Sequence, residues 1–243
     1  MSTITPRYKP IVQPKVFPFE LLPINNYTIE RSELNDKRVY YVNGDNTLPL
    51  YSITTVLSSG DNSWVDNWKA AVGEEYAKKV SNTAALIGTT IHSLCEDYLS
   101  NKDINDKIRS NVVLYHRFKR MSAILDRFSK IYCLEKSLYS KKLQIAGTVD
   151  CIGVFDGILS VIDFETSRKH KEIYDIPHYF VQATAYAIMF YELYNIPITN
   201  IVIIISIDGD EPLVYTQNIK QYVPLLLDYV KNFKKSLSDM ENN

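Results

Sequence analysis

The dipeptide Asp156-Gly157 stands between two apolar, β-branched runs, 147–155 and 158–164. Asp-Gly in such a setting is the strongest short-range signal of a β-hairpin with a two-residue turn. That turn fixes a register: Phe155 faces Ile158, Ile152 faces Val161, and Asp150 faces Asp163. Two carboxylates are then opposed with Cβ atoms roughly 4.5–5.5 Å apart, a pairing that repels. Glu165, two residues on, falls on the same face. That face carries Thr148, Asp150, Ile152 and Val154 on one strand and Leu159, Val161, Asp163 and Glu165 on the other. It is apolar at the turn and acidic at the open end, a candidate site for a divalent metal.

Acids at strand ends are usually solvated or cap a turn. Here the other face (Val149, Cys151, Phe155, Ile158, Ile162, Phe164) is apolar as well. A strand pair apolar on both faces is covered on both sides, as in an α/β layer. Acids enclosed there must be paired, protonated or bound to metal.

The chain of 243 residues, 46% hydrophobic and 23% charged, can bury a sizeable core. Net charge is −1, so nucleic acid is met, if at all, through local patches. Lys141-Lys142 and Arg168 to Lys171 flank the hairpin in sequence and are the basic clusters of interest. Eighteen tyrosines supply rings that could stack on bases, though each reads first as a half-buried residue. Cys95, Cys133 and Cys151 have no Cys-x-x-Cys spacing, which fits a reducing compartment and argues against an iron–sulfur cluster or a cysteine-bound zinc. No apolar run is long enough to cross a membrane, and no signal-peptide stretch opens the chain. The expectation is a soluble, intracellular, cytoplasmic protein. Its Lys, Asn and Ile usage points to a phage or bacterial source, hence host cytoplasm if phage-encoded.

Five prolines in residues 1–24 predict an extended arm, followed by one domain over 25–243. The pattern then gives a small hairpin within 27–50 and a helix beginning near Ser52. Helices follow at 61–80, carrying Trp64, Trp68, Val72 and Tyr76, and at 82–99, with Ile87, Ile91, Leu94 and Tyr98 as its buried stripe. On the second, His92 and Glu96 lie one turn apart beside that stripe, as core residues or as ligands. A polar linker spans 101–111, a helix 114–132 and a strand 135–143, where Glu135 is a further candidate acid. After the hairpin come a basic loop and a helix started by Pro177, with Gln182 and Tyr186 one turn apart. A buried strand at 201–207, a further strand at 213–217 and an amphipathic helix at 222–237 close the chain.

Five segments in order resemble the PD-(D/E)XK nucleases. They are Gly88-Thr-Thr-Ile-His92-Ser-Leu-Cys-Glu96, Glu135 to Ser140, Ala146 to Asp150, Val161 to Lys169, and Gln182-Ala-Thr-Ala-Tyr186. Within that superfamily they are similar to the RecB-like branch, the mitochondrial genome maintenance exonucleases and their phage relatives in particular. The resemblance implies an α/β fold, a central mixed β-sheet flanked by helices with a restriction-endonuclease-like core. It also implies a Mg²⁺- or Mn²⁺-dependent exonuclease acting on DNA, with single-stranded ends as substrate. Carried over residue by residue, His92, Asp150, Asp163 and the carbonyl of Phe164 are metal ligands. Glu96 and Glu135 serve a second ion or its water, and Asp150, Asp163, Glu165, Gln182 and Tyr186 form the catalytic group. Lys141, Lys142, Ser167, Arg168, Lys169 and Lys171 contact nucleic acid. One position departs: the family's Asp-x-Lys is here Asp163-Phe-Glu165. Glutamate inverts the charge beside the attacking water, so weak cleavage or none is expected. Either the cation has moved to Lys169, Lys171 or Lys142, or the nuclease is inactive, or the lysine was replaced deliberately. The alternative function is a catalytically inactive nucleic-acid-binding protein on a nuclease fold.

Overall fold

The computed structural model describes residues 9–11, 13–60 and 70–241. Its centre is a mixed sheet of eight strands: β1 (Ile29–Leu34), β2 (Lys37–Val42), β3 (Asp45–Ser52), β4 (Phe128–Ser140), β5 (Ile145–Phe155), β6 (Ile158–Ser167), β7 (Asn200–Ile207) and β8 (Leu213–Asn218). The spatial order is β1-β2-β3-β5-β6-β7-β8, with β4 also paired to β5. Asp156 and Gly157 both take positive φ, 48° and 82°, the turn expected from the sequence. Phe155 faces Ile158 and Ile152 faces Val161, also as expected. β7 is the run read as a buried strand. It is parallel to β6 and antiparallel to β8, and seven consecutive residues from Ile201 to Ile207 are buried.

Helices cover both faces, which is why strand residues of either parity are apolar. On one face α1 (Ile53–Ser58), α5 (Pro177–Tyr194) and α6 (Val223–Glu241) pack over Ile152, Val161, Ile201, Ile203 and Ile205. On the other, α2 (Glu74–Leu99), the single turn α3 (Asn105–Ile108) and α4 (Val112–Leu125) pack over Cys151, Phe155, Ile162, Phe164, Val202 and Ile204.

Several boundaries differ from the sequence reading. Residues 61–69, with Trp64 and Trp68, lie outside the described residues; beyond them a break at Gly73 interrupts the expected 61–80 helix, and α2 runs unbroken from Glu74 through the expected junction at 80–82 to Leu99. Gly73 takes φ 87°, and Glu74 and Glu75 complement the positive helix end. The Ser-Asn-Thr stretch at 81–83 reads as a stop, yet Thr83 donates back to the Lys79 carbonyl at 2.9 Å and stays helical. The helix expected over 114–132 ends at Leu125. Phe128 and Ile131 are claimed by β4, in register with Phe155 and Gly153. The 27–50 segment is a three-stranded meander rather than one hairpin, because Asn35-Asp36 forms a second turn with both φ values positive.

The proline-punctuated arm runs along the edge of β4. Ile131 donates to the Pro18 carbonyl at 2.9 Å and Glu20 donates to the Ile131 carbonyl at 2.7 Å, so the arm screens an otherwise open strand edge. The 101–111 segment does more than link. Asn101 accepts from the Phe17 N–H and donates to its carbonyl, and Asn105 does the same for Ile11.

Candidate active site

β5 and β6 separate where their carboxylates would meet. The ladder runs from Phe155↔Ile158 to Cys151↔Ile162 and ends one pair short of Asp150 and Asp163. Beyond it β5 turns toward β3, at Tyr51↔Ile145 and Ser52↔Ala146. β6 continues beside β7 as far as Ser167↔Ile207. The expected Asp150–Asp163 rung is therefore a fork, which spares two like charges a direct pairing. Asp150 Oδ2 instead accepts a hydrogen bond from the Phe164 N–H at 2.8 Å, across the gap.

The strand alternation also slips here. Val149 packs with Ile152 and Val161, not with Cys151 as strict alternation requires. Opposite Asp150, as the flanking pairs Leu134↔Cys151 and Lys136↔Val149 require, Glu135 takes φ 45°. A left-handed glutamate costs about 1–3 kcal/mol and is tolerated where the surroundings hold it. Here it brings the Glu135 carboxylate to Asp150.

α2 supplies the next group. His92 Nδ1 is 3.3 Å from Asp150 Oδ2, and its ring lies edge-on to buried Phe164, with centroids 6.3 Å apart. His92, Glu135 and Asp150 each offer a ligand atom, and those atoms lie within 4.8 Å of one another. They line a groove of about 510 Å³ together with Ala85, Gly88, Thr89, Ser93 and Glu96. Glu96 thus falls where the sequence reading put it, on the same wall as His92. Asp163 does not join that trio. It is 2% exposed and is held from the α5 side, where Gln182 Nε2 donates to Oδ1 at 3.2 Å. Its Oδ2 is buried with no hydrogen-bond partner.

Each acid resists ionisation. Burial, then the Asp150 and Glu165 charges, push the Asp163 carboxyl well above the usual range. Glu165 rises to about 8 through burial and the Asp150 charge, partly offset by the Tyr179 hydroxyl that bonds it. Surrounding protein, then Asp150 and Glu96, raise Glu135 to about 7. Asp150 is raised by burial against the opposing pull of His92 and the Phe164 N–H. Such a set gains most from a cation.

Tyr186 is buried beneath the fork. A Cβ on Gly147 would lie 3.0 Å from its hydroxyl and 3.1 Å from Ile53 Cγ2, so this glycine permits the close approach of α5 to β5. Tyr179, absent from the sequence reading, is one turn before Gln182. The i, i+3 spacing was the available signal.

The basic candidates divide. Arg168 and Lys169 are exposed on the loop leaving β6, which Ser167 shapes by donating to the Lys169 carbonyl at 2.7 Å. The Lys171 carbonyl accepts from the Tyr215 hydroxyl. Lys141 and Lys142 lie in the β4–β5 turn, where Lys141 acts on Asp45. That turn precedes Ile145, which is about 16 Å along the strand from Asp150. Among the described residues no lysine acts on Asp150, Asp163 or Glu165. The proposed relocation of the cation to Lys169, Lys171 or Lys142 thus finds none of these lysines among the groups acting on the three acids.

No protein-family model matches the chain. Part of it is similar to mitochondrial genome maintenance exonuclease 1 of Homo sapiens, 27% identical over 108 residues, 44% of this chain and 31% of that protein. The Mus musculus protein of the same name is 26% identical over 127 residues, 51% of this chain and 36% of that one. The chain thus spans about a third of the length of either relative. A solved structure from Eubacterium rectale, provisionally described as an exonuclease, superposes with TM-score 0.45 at 16% identity, over 73% of this chain and 80% of that one.

Proposed function

We propose that the chain is a divalent-metal-dependent nuclease that hydrolyses DNA from single-stranded ends, with its rate held down by Glu165. One observation carries this reading. The β5–β6 fork gathers His92, Glu135 and Asp150 within 4.8 Å while leaving Asp163 Oδ2 buried and unpartnered. Carboxylate oxygens with one imidazole suit Mg²⁺ or Mn²⁺, the latter tolerating histidine better. The mutual repulsion among these acids fits them to a cation. His92, Glu135 and Asp150 would hold the ion, with Asp163 and Glu96 nearest in chemistry for its waters or a second ion. When bound, it would polarise the scissile phosphate and lower the pKa of an attacking water.

The chain's own groups set the rest. The Phe164 N–H fixes Asp150 Oδ2 and Gln182 fixes Asp163 Oδ1, so each carboxylate presents a defined second oxygen. Metal-free, the fork offers a phosphodiester no positive charge, so strand entry depends on the cation. Glu165 stands where the resembled family has lysine. Its carboxyl, held by Tyr179, supplies no positive charge to the developing oxyanion. That observation favours a second reading, in which the chain binds strands and does not cut them.

End-labelled single strands with Mg²⁺ or Mn²⁺ test both. Glu165→Lys should raise cleavage about 100-fold, the scale of one electrostatic group aimed at developing charge, and Asp163→Ala should abolish it. Unchanged cleavage in Glu165→Lys, with Asp163→Ala still cutting, defeats the site assignment. Salt-sensitive binding with no cleavage by any variant establishes the second reading.

A further inference from the structure

Arg117 of α4 is 6% exposed, and the ion pair it makes is a long one. Its Nε donates to Ser206 Oγ and its Nη2 to the Ser206 carbonyl, both at 2.8 Å. Both acceptors are neutral. The nearest acid, Asp208, is half exposed and 3.9 Å away. Arg120, one turn along α4, adds a second guanidinium close enough to act on the first. Its Nε is buried with no hydrogen-bond partner. Two guanidinium groups acting on each other, with Asp208 the one acid that acts on Arg117 and itself half exposed, leave this poorly solvated place with an excess of positive charge.

Their position says which anion. Ser206 pairs with Thr166, three residues beyond Asp163 on β6 and so about 10 Å along the strand. Val202 and Ile204 face α2 and α4 while Ile203 and Ile205 face α5, so alternation places Ser206 on the α2 side. On that side Thr166 Oγ1 lies 3.7 Å from where a Cβ on Gly88 would be, and Gly88 lines the groove one turn before His92. The Asp208 N–H donates to the Ser167 carbonyl at 3.0 Å, joining the pair to the start of the exposed basic loop.

We propose that Arg117 and Arg120 form a phosphate subsite that grips a phosphodiester of the same strand, away from the bond being cut. Arg117 is anchored by Ser206 and gives the subsite its fixed element, while Arg120 closes on the phosphate. This rests on the nuclease reading, because the strand occupying the groove is what brings the phosphate there.

The test measures anisotropy of a labelled oligothymidylate of about 20 nucleotides with Ca²⁺, at salt from about 50 to 200 mM. Arg120→Ala should weaken binding about 5- to 10-fold and make the log–log salt slope shallower by about 0.7, the loss of one phosphate contact on a single strand. Arg120→Lys should restore the slope. Mn²⁺ affinity and the melting temperature should match wild type in both variants, since neither residue touches the metal trio. Wild-type binding with unchanged affinity and slope in Arg120→Ala overturns the subsite and leaves the nuclease reading standing. A wild type that binds no strand overturns both.

Discussion

The two ends of the β5–β6 hairpin are built from one sequence pattern and behave oppositely. At the turn end, Asp156-Gly157 closes an unbroken ladder, Arg127 pairs with Asp156 and stacks over Phe155 at 4.5 Å, and Phe155, Ile152, Val161 and Ile162 are buried while Ile158 at the tip is exposed. Turn chemistry and strand pairing there agree with the fold. At the open end the ladder stops, Glu135 takes a left-handed backbone, and Asp150, Asp163 and Glu165 crowd in with raised carboxyl pKa values. Consistency builds the first region, and conflict held in place by the first builds the second. Local conflict of this kind marks sites whose task is not stability.

The comparison breaks most visibly in metal binding. Asp150→Ala should weaken Mn²⁺ affinity by about 100-fold or more by calorimetry, since it removes the acid shared by His92 and Glu135. An unchanged affinity would mean the fork is not the site. At the turn end the expected loss is of stability alone. A Cβ on Gly153 would lie 2.8 Å from the Lys130 carbonyl oxygen, so Gly153→Ala should cost about 1–3 kcal/mol in denaturant melts while Mn²⁺ affinity holds. Loss of metal binding along with stability would blur the division between the two ends.

Asp163→Asn should act in the opposite sense. It relieves a buried, repelled carboxyl while keeping its shape, so the metal-free protein should gain about 1 kcal/mol. A loss would show that Asp163 supports the fold rather than straining it. A further effect concerns pH. Glu135 at about 7 and Glu165 at about 8 are raised above the ordinary 4.5, so the folded state binds more protons than the unfolded. Their contribution is full below about 4.5 and is lost as pH rises through 7 to 8. The metal-free protein should melt at a lower temperature at pH 8 than at pH 5. Saturating Mn²⁺ should flatten or reverse that slope.

The sequence carried the turn end fully, because Asp-Gly chemistry and strict alternation act locally. It placed His92 and Glu96 on one helix face and Gln182 one turn from Tyr186 for the same reason. It could not show that β5 forks between β3 and β6, because that depends on a non-local pairing at Tyr51 and Ser52. Nor could it show the alternation slip that moves Val149, or the backbone of Glu135 that makes a secondary candidate a member of the trio. Arg117 belongs to the basic run Arg117-Phe-Lys119-Arg120, which in sequence reads as a solvated helix face. Its partner Ser206 is 89 residues away in sequence.

The account's central claim is that this fork holds a divalent cation between α2 and the sheet. Anomalous diffraction from crystals soaked in Mn²⁺ addresses it directly. One peak is predicted in contact with His92 Nδ1 or Nε2, a Glu135 oxygen and an Asp150 oxygen, and absent from Asp150→Ala crystals. Wild-type crystals with no peak at that position, at Mn²⁺ concentrations that saturate binding in solution, would contradict it.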